Sequence, residues 1–129
     1  MKFHLLAASG QNLFSAYDAN SVTVNQRRFE KSLIVLPNRI VEDWGVASFE
    51  TLTAEHFAAI LSLEPEIVLL GTGATFRFPH PRLTRALAEA QIGLETMDTF
   101  AACRTYNILM AEGRKVAAAV ILENVKERE

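Results

Sequence analysis

The spacing of apolar and polar residues in the first third of the chain is typical of strands. Val22 and Val24 alternate with polar neighbours, which is the period of a half-buried strand. Asn25-Gln26 follows and predicts a hairpin turn. Ser32–Leu36 is a short, nearly continuous apolar run, which favours a strand buried on both faces. The apolar run Leu5–Ala8 is too short for the core of a secretory signal, so we interpret Lys2–Leu6 as a first strand.

From about residue 50 the pattern changes to alternating helices and strands. Thr53 is a suitable N-cap for a helix of about ten residues, which Pro65 would end. Ile67–Leu70 has the unbroken apolar character of a central parallel strand. The later predicted elements are a helix from Pro81, a strand at Gly93–Met97, a helix at Thr99–Ala111 capped by Asp98 or Thr99, and a strand at Val116–Leu122.

This order of elements predicts an α/β fold. We expect a three-layer α/β/α arrangement with a mixed, mostly parallel central sheet and an N-terminal β-hairpin. No linker or repeat divides the chain, so residues 1–122 are interpreted as one domain and residues 123–129 as a charged tail. The predicted core consists of Leu33, Val35, Phe57, Ile60, Val68, Leu69, Leu83, Leu87, Phe100 and Val120.

Composition narrows the range of functions. The 129 residues carry a formal net charge of -2, which argues against nucleic-acid binding because that requires clustered positive charge. No stretch approaches the ~18 apolar residues of a membrane span. We therefore expect a cytoplasmic protein. The single cysteine, Cys103, cannot form an intrachain disulfide.

Gly71-Thr72-Gly73 directly follows the predicted central strand. Glycines after a strand let backbone N–H groups approach an anion, and the start of a nearby helix adds positive potential. The run lacks the lysine of a Walker loop and the third glycine of a dinucleotide-binding turn. Two interpretations stay open, an anion-binding loop or a sharp exit from the sheet. Arg77, His80 and Arg82 follow and could attract an anion or remain solvated.

The helix at Thr99–Ala111 carries a polar residue within its apolar arc. Asn107 lies between Phe100 and Cys103 in helical projection. A buried amide is costly unless its donors and acceptor are paired. We expect a hydrogen bond to a backbone loop, such as the Gly71 turn, and the alternative is an amide that faces a ligand. Cys103 on the same arc is interpreted as a small core residue.

No constellation in the sequence indicates catalysis or a metal. The three histidines are far apart, no nucleophile elbow is present, and we expect neither a cofactor nor a metal site. Trp44, the only tryptophan, is flanked by acids and Gly45. It could be a half-exposed anchor in an interface or a residue at the edge of the core.

The chain resembles a small family of uncharacterised single-domain proteins that includes a mitochondrial assembly factor for respiratory complex I (NADH:ubiquinone oxidoreductase). The most specific parts of the likeness are the Gly71-Thr72-Gly73 turn and the Thr99–Arg114 segment. The likeness covers about residues 10–122. It implies the three-layer fold, an antiparallel last strand, no established enzymatic activity and a protein partner. Its recurring positions correspond to Trp44, Gly71, Gly73, Thr99, Ala102, Tyr106, Asn107 and Arg114.

Two hypotheses of function follow. The first is a binding or assembly protein that contacts a partner where the loop after Leu70 meets the helix at Thr99, with Trp44, Gly71, Thr72, Gly73, Thr99, Tyr106, Asn107 and Arg114 as candidate contacts. The alternative is a small-molecule or anion-binding enzyme that uses Gly71–Gly73 and the same helix N-terminus. An antiparallel last strand would bring Arg114 to this edge. The Val22–Phe29 hairpin could pair with a second copy.

Overall fold

A computed structural model describes residues 10–18 and 20–123. The predicted strand Lys2–Leu6 and all of the predicted tail except Glu123 lie outside these ranges. The strands are β1 (Phe14–Tyr17), β2 (Val22–Val24), β3 (Arg27–Phe29), β4 (Leu33–Leu36), β5 (Arg39–Val41), β6 (Ile67–Gly71), β7 (Gly93–Met97) and β8 (Val116–Val120). The α-helices are α1 (Ala54–Ala58), α2 (Arg85–Glu89) and α3 (Thr99–Ala111), and 3-10 helices span Phe49–Thr51 and Ala59–Leu63.

The strands form two sheets, and the mixed α/β class predicted from the sequence is confirmed. The first sheet is antiparallel, in the order β1-β2-β3. The turn between β2 and β3 is Asn25-Gln26, and both residues have positive φ, as two-residue hairpin turns commonly require. The second sheet has the order β5-β4-β8-β6-β7. There β6 is parallel to β7 and β8, while β4 is antiparallel to β5 and β8.

The orientation of β8 corrects one expectation. Its residues pair in parallel with β6, from Ile67 opposite Val116 to Gly71 opposite Val120. The last strand is therefore not antiparallel to the central strand, because α3 crosses from the end of β7 back to the edge of the sheet where β6 begins. Arg114, which precedes β8, consequently lies at the opposite edge from Gly71.

Two hydrophobic clusters enclose the five-stranded sheet. One face packs against α3 and the three-stranded sheet through Val35, Leu69, Tyr106 and Met110. The other face packs against α1, α2 and the Trp44 segment. β8 is buried along its whole length, which matches its apolar sequence and its place between β4 and β6. The sheet thus has a distinct set of partners on each face.

Three local predictions differ from the structure in instructive ways. The helix capped by Thr53 continues as a 3-10 helix from Ala59, and the helix expected from Pro81 becomes regular only at Arg85. Phe100 was expected in the core but is 45% exposed. It lies in the first turn of α3, and its ring contacts Tyr17 with centroids 5.0 Å apart.

Candidate functional site

The structure brings the Gly71–Gly73 bend and the start of α3 together, as the sequence predicted. The N–H group of Gly73 donates to Thr99 Oγ1 at 3.0 Å. The N–H group of Thr99 donates to the carbonyl of Gly73 at 2.9 Å, and that of Thr72 donates to the carbonyl of Met97 at 2.9 Å. These bonds fasten the loop after β6 to the end of β7 at the carboxyl edge of the sheet.

Each glycine of this bend has a separate geometric reason. A Cβ on Gly71 would lie 3.2 Å from the Cβ of Ala102 and 3.3 Å from the Cα of Thr99. The absence of a side chain therefore lets α3 pack directly on β6. Gly73 has a φ of 92°, a conformation that glycine adopts without steric cost. Gly71 thus serves the close approach of α3, and Gly73 serves the turn of the backbone.

The bend offers little to an anion. The N–H groups of Thr72 and Gly73 are already engaged, and Asp98 caps α3 by accepting the N–H of Ala101 at 2.8 Å. The adjacent depression, about 160 Å³ in volume, includes Asp18 and Asp98 in its lining. The pKa of Asp18 is lowered, chiefly because the N–H of Asn20 donates to its carboxylate. Carboxylates at the rim repel a negatively charged ligand.

Thr72 and Arg77 hold the next part of the loop in place. The hydroxyl of Thr72, which is fully buried, donates to the carbonyl of Thr75 at 2.6 Å and accepts the N–H of Arg77 at 3.2 Å. The guanidinium of Arg77 donates to the carbonyl of Thr72 at 3.0 Å and pairs with Glu50 at 2.8 Å and Glu123 at 3.1 Å. It also lies over the ring of Phe49, 4.6 Å from the centroid.

The residues on either side of Arg77 are aromatic and exposed. Phe76 is 52% and Phe78 is 76% exposed, and their ring centroids are 4.7 Å apart. We call residues 74–80 the aromatic loop. The sequence pattern did not predict this feature, although two phenylalanines between Gly73 and Pro79 are a visible signal. Large apolar side chains grouped at a surface are typical of interaction sites.

Asn107 and Tyr106 are occupied by contacts within the fold. Asn107 Oδ1 accepts the N–H of Phe14 at 3.0 Å, and its Nδ2 donates to the carbonyl of Phe14 at 2.8 Å. The hydroxyl of Tyr106 donates to the carbonyl of Asn12 at 2.9 Å, and burial raises its pKa. The expectation of a backbone partner for Asn107 is correct, but the partner is β1 rather than the Gly71 turn.

Trp44 and Cys103 lie in the core. Trp44 is buried, donates from Nε1 to the carbonyl of His56 at 3.0 Å, and meets the ring of Phe57 edge-on. Of the two interpretations of Trp44, the structure supports the edge of the core. Cys103 is fully buried, and burial raises the pKa of its thiol to about 12.

Arg114 is separated from the other candidates. Its Nε donates to Glu66 Oε1 at 2.8 Å, at the edge of the sheet where β6 and β8 begin. Arg114 and the N–H of Lys115 are the main causes of a lowered pKa at Glu66. Of the sequence-predicted set, only Gly71, Thr72, Gly73 and Thr99 meet at the carboxyl edge.

Two kinds of feature are absent from the described residues. Within residues 10–18 and 20–123, no three His, Cys, Asp or Glu side chains are grouped so that they could hold a metal ion. Among the helices in those ranges, none has the length and apolar character needed to span a bilayer.

Known proteins with similar sequences and structures support the resemblance found in the motifs. NADH dehydrogenase [ubiquinone] 1 alpha subcomplex assembly factor 3 of Bos taurus is 37% identical over 108 residues, which cover 82% of this chain and 58% of the relative. The chain thus spans less than two thirds of that protein. The 13 kDa major membrane protein of Francisella tularensis is 28% identical, with 84% of this chain and 89% of the relative covered.

A solution structure of a Xanthomonas campestris protein shares the fold, with a TM-score of 0.80 and 39% identity over 88% of this chain and 86% of that one. The family described as "Protein of unknown function (DUF498/DUF598)" matches residues 14–121. This match covers most of the chain and includes the glycine bend and α3. The chain therefore belongs to the DUF498/DUF598 family.

Proposed function

We propose that this protein acts by binding another protein, in the manner of an assembly factor, and that the partner docks on the aromatic loop. The observation that carries the proposal is the exposed pair Phe76 and Phe78 on a loop that is held in place. Aromatic residues are enriched among the side chains that dominate binding energy at interfaces. The bovine relative is named as an assembly factor, and this name supports the same general role here.

The anchoring of Arg77 explains how such a surface could bind efficiently. A flexible loop loses conformational entropy when it docks, and a pre-ordered loop avoids much of that cost. Arg77 contacts Glu50, Glu123 and the carbonyl of Thr72 from its position between the two phenylalanines. The loop is therefore ordered before a partner arrives. Phe100, at the start of α3 on the same edge, would extend the contact.

The alternative, a small-molecule or anion-binding enzyme at Gly71–Gly73, has less support. Two N–H groups of the bend are engaged within the fold, and Asp18 and Asp98 line the adjacent depression. An organic anion would therefore meet negative charge and few free donors. A three-layer arrangement, a cytoplasmic location and self-association through Val22–Phe29 stay predictions, and sedimentation of the purified protein tests the last of these.

Affinity capture with matched variants tests the docking proposal. The chain is used as bait at near-native abundance in lysate of its source cells, as wild type, as the double variant Phe76→Ser/Phe78→Ser, and as Ile108→Ser. Ile108 is a suitable control because it is 52% exposed, like Phe76, but lies near the end of α3, outside the aromatic loop. All three sites are at the surface, so we expect stability to change by less than about 0.5 kcal/mol.

The proposal predicts that a defined partner is recovered with wild type and with Ile108→Ser, and that the double variant loses it. Recovery of the bait alone, or equal recovery with all three chains, would count against docking at the aromatic loop. Thermal unfolding of each bait confirms that the variants are folded.

A further inference from the structure

A larger depression lies at the other edge of the five-stranded sheet, where β6 and β8 begin. Its volume is about 400 Å³, within the range of about 300–1,000 Å³ that is usual for ligand clefts. The chain enters β8 from α3, whose Met110 belongs to the cluster on one face. It enters β6 from a 3-10 helix whose Leu63 packs on the opposite face. Because the two connections diverge, the edge between them is left open.

The corresponding divergence at the carboxyl edge is partly filled and leaves only the depression of about 160 Å³. There β6 leads to α2 on one face and β7 leads to α3 on the other, which is the arrangement that usually opens a ligand crevice in α/β sheets. Gly71 and Gly73 let the backbone and Thr99 fill that space. Of the depressions at these two edges, the one at the amino edge is therefore the larger, and we call it the amino-edge groove.

The lining of the amino-edge groove combines apolar and cationic residues. Leu36, Pro65 and Met110 are its buried apolar residues. Arg114 and Lys115 bring two positive charges to it. A ligand that fits this lining has an apolar part and an anionic part.

Several polar groups of the groove have spare hydrogen-bonding capacity. Nε of Arg114 pairs with Glu66, and its two terminal nitrogens donate no hydrogen bond to the described residues. In the same ranges, the ammonium of Lys115 and the amides of Gln11 and Asn38 make no side-chain hydrogen bond or ion pair. Anion oxygens accept hydrogen bonds from guanidinium and ammonium groups more strongly than from neutral donors.

We propose that the amino-edge groove binds a small organic acid with a single anionic group and a short apolar chain. The anionic group lies against Arg114 and Lys115, and the chain packs over Pro37 and Leu63, the half-buried apolar residues of the lining. Glu64 also lines the groove, and its charge disfavours ligands that carry several negative charges. The groove and the aromatic loop lie at opposite edges of the sheet, so this proposal does not depend on the docking of a partner.

Titration followed by backbone amide NMR tests the proposal, with sodium hexanoate as the probe. We expect saturable shifts at residues 113–115 and at the β4–β5 turn. Lys115→Gln should weaken hexanoate binding by about tenfold, the loss expected for one charge-assisted hydrogen bond. Hexanamide, the neutral analogue, should bind to the wild-type protein about tenfold more weakly than hexanoate does. Arg104→Gln is the matched control, because Arg104 is exposed on α3 outside the groove lining.

Each of the other outcomes overturns the proposal. Absence of saturable shifts at residues 113–115 means that the groove holds no such ligand. Equal affinity for hexanoate and hexanamide means that the cations take no part. An equal loss with Lys115→Gln and Arg104→Gln means that only the general surface charge attracts the probe. Tighter binding of inorganic phosphate than of hexanoate would reject the organic-acid class.

Discussion

Replacement of Asn107 by alanine is the sharpest test of how the three-stranded sheet is attached to α3. The amide of Asn107 pairs with both the N–H and the carbonyl of Phe14, at 3.0 and 2.8 Å, much as a neighbouring strand would. Phe14 is buried and belongs to the core cluster beneath α3. Asn107→Ala would leave these two backbone groups of Phe14 without their side-chain partner.

The expected cost follows from the number of groups left unpaired. One unsatisfied buried polar group costs about 1–3 kcal/mol. Because Asn107 itself is only half-buried, water can partly replace the lost bonds. We therefore expect Asn107→Ala to lower the free energy of unfolding by about 2–4 kcal/mol. That is a large part of the about 5–15 kcal/mol typical of a domain, and it lowers Tm by on the order of 10 °C.

Urea unfolding of the variant and of a matched control measures this cost. Asn38→Ala is the control, because Asn38 is exposed in the β4–β5 turn and its side chain bonds to none of the described residues. It should change the free energy of unfolding by less than about 0.5 kcal/mol. Amide exchange in β1 should also become faster in Asn107→Ala. If both variants match wild type within error, the amide does not fasten β1 to α3.

Three further predictions concern the two sheet edges and the core. Gly71→Ala should destabilise the fold by about 1–3 kcal/mol because its Cβ would crowd α3, whereas Gly93→Ala, whose Cβ would have ordinary contacts, should not; chemical denaturation of both variants compares them. Cys103 should not react with a thiol reagent at pH 8 in the native state, because its pKa is raised to about 12 by burial, and should react after unfolding. The pKa of the Glu66 carboxyl should lie below its usual value, chiefly because Arg114 donates a hydrogen bond to it. The small stability that this carboxylate adds is therefore present above the usual pKa and lost as the pH falls through the lowered pKa of the folded state. Carbon NMR should show that the titration midpoint of Glu66 rises in Arg114→Gln.

Elements with a strong local signal were predicted well from the sequence. The apolar run before Gly71 predicted the central strand, which the structure contains as β6. Asp98 was one of the two predicted caps of α3, and its carboxylate accepts the N–H of Ala101. The meeting of Gly73 and Thr99 was also predicted, because the carboxyl ends of adjacent parallel strands share an edge of the sheet.

Features set by distant contacts were not predictable in the same way. The partner of Asn107 is Phe14, 93 residues earlier, and no local pattern encodes that distance. The direction of β8 depends on the edge of the sheet at which α3 ends. Because the predicted direction was wrong, Arg114 was expected at the carboxyl edge, whereas it lies beside Glu66 at the other edge. Phe100 followed the apolar arc of its helix but lies largely outside the core, because the first turn of α3 is only partly covered.

The aromatic loop was not predicted from the sequence for a different reason. Phe76 and Phe78 belong to no periodic segment, so their spacing gives no helix or strand signal. Arg77 lies between them in the sequence, and its contacts with Glu50 and Glu123 hold the loop across separations of 27 and 46 residues. Two aromatic residues in an irregular segment nevertheless indicate a candidate contact surface, because they are not accounted for by burial in a helix or strand.

Site-specific photo-crosslinking tests the central claim most directly, which is that the aromatic loop is where a partner protein binds. Benzoylphenylalanine would replace Phe78 in one chain and Ile108 in another, and both would be irradiated in lysate of the source cells. The account predicts one defined protein adduct from position 78 and none from position 108. No adduct at position 78, or the same adducts from both positions, would contradict it.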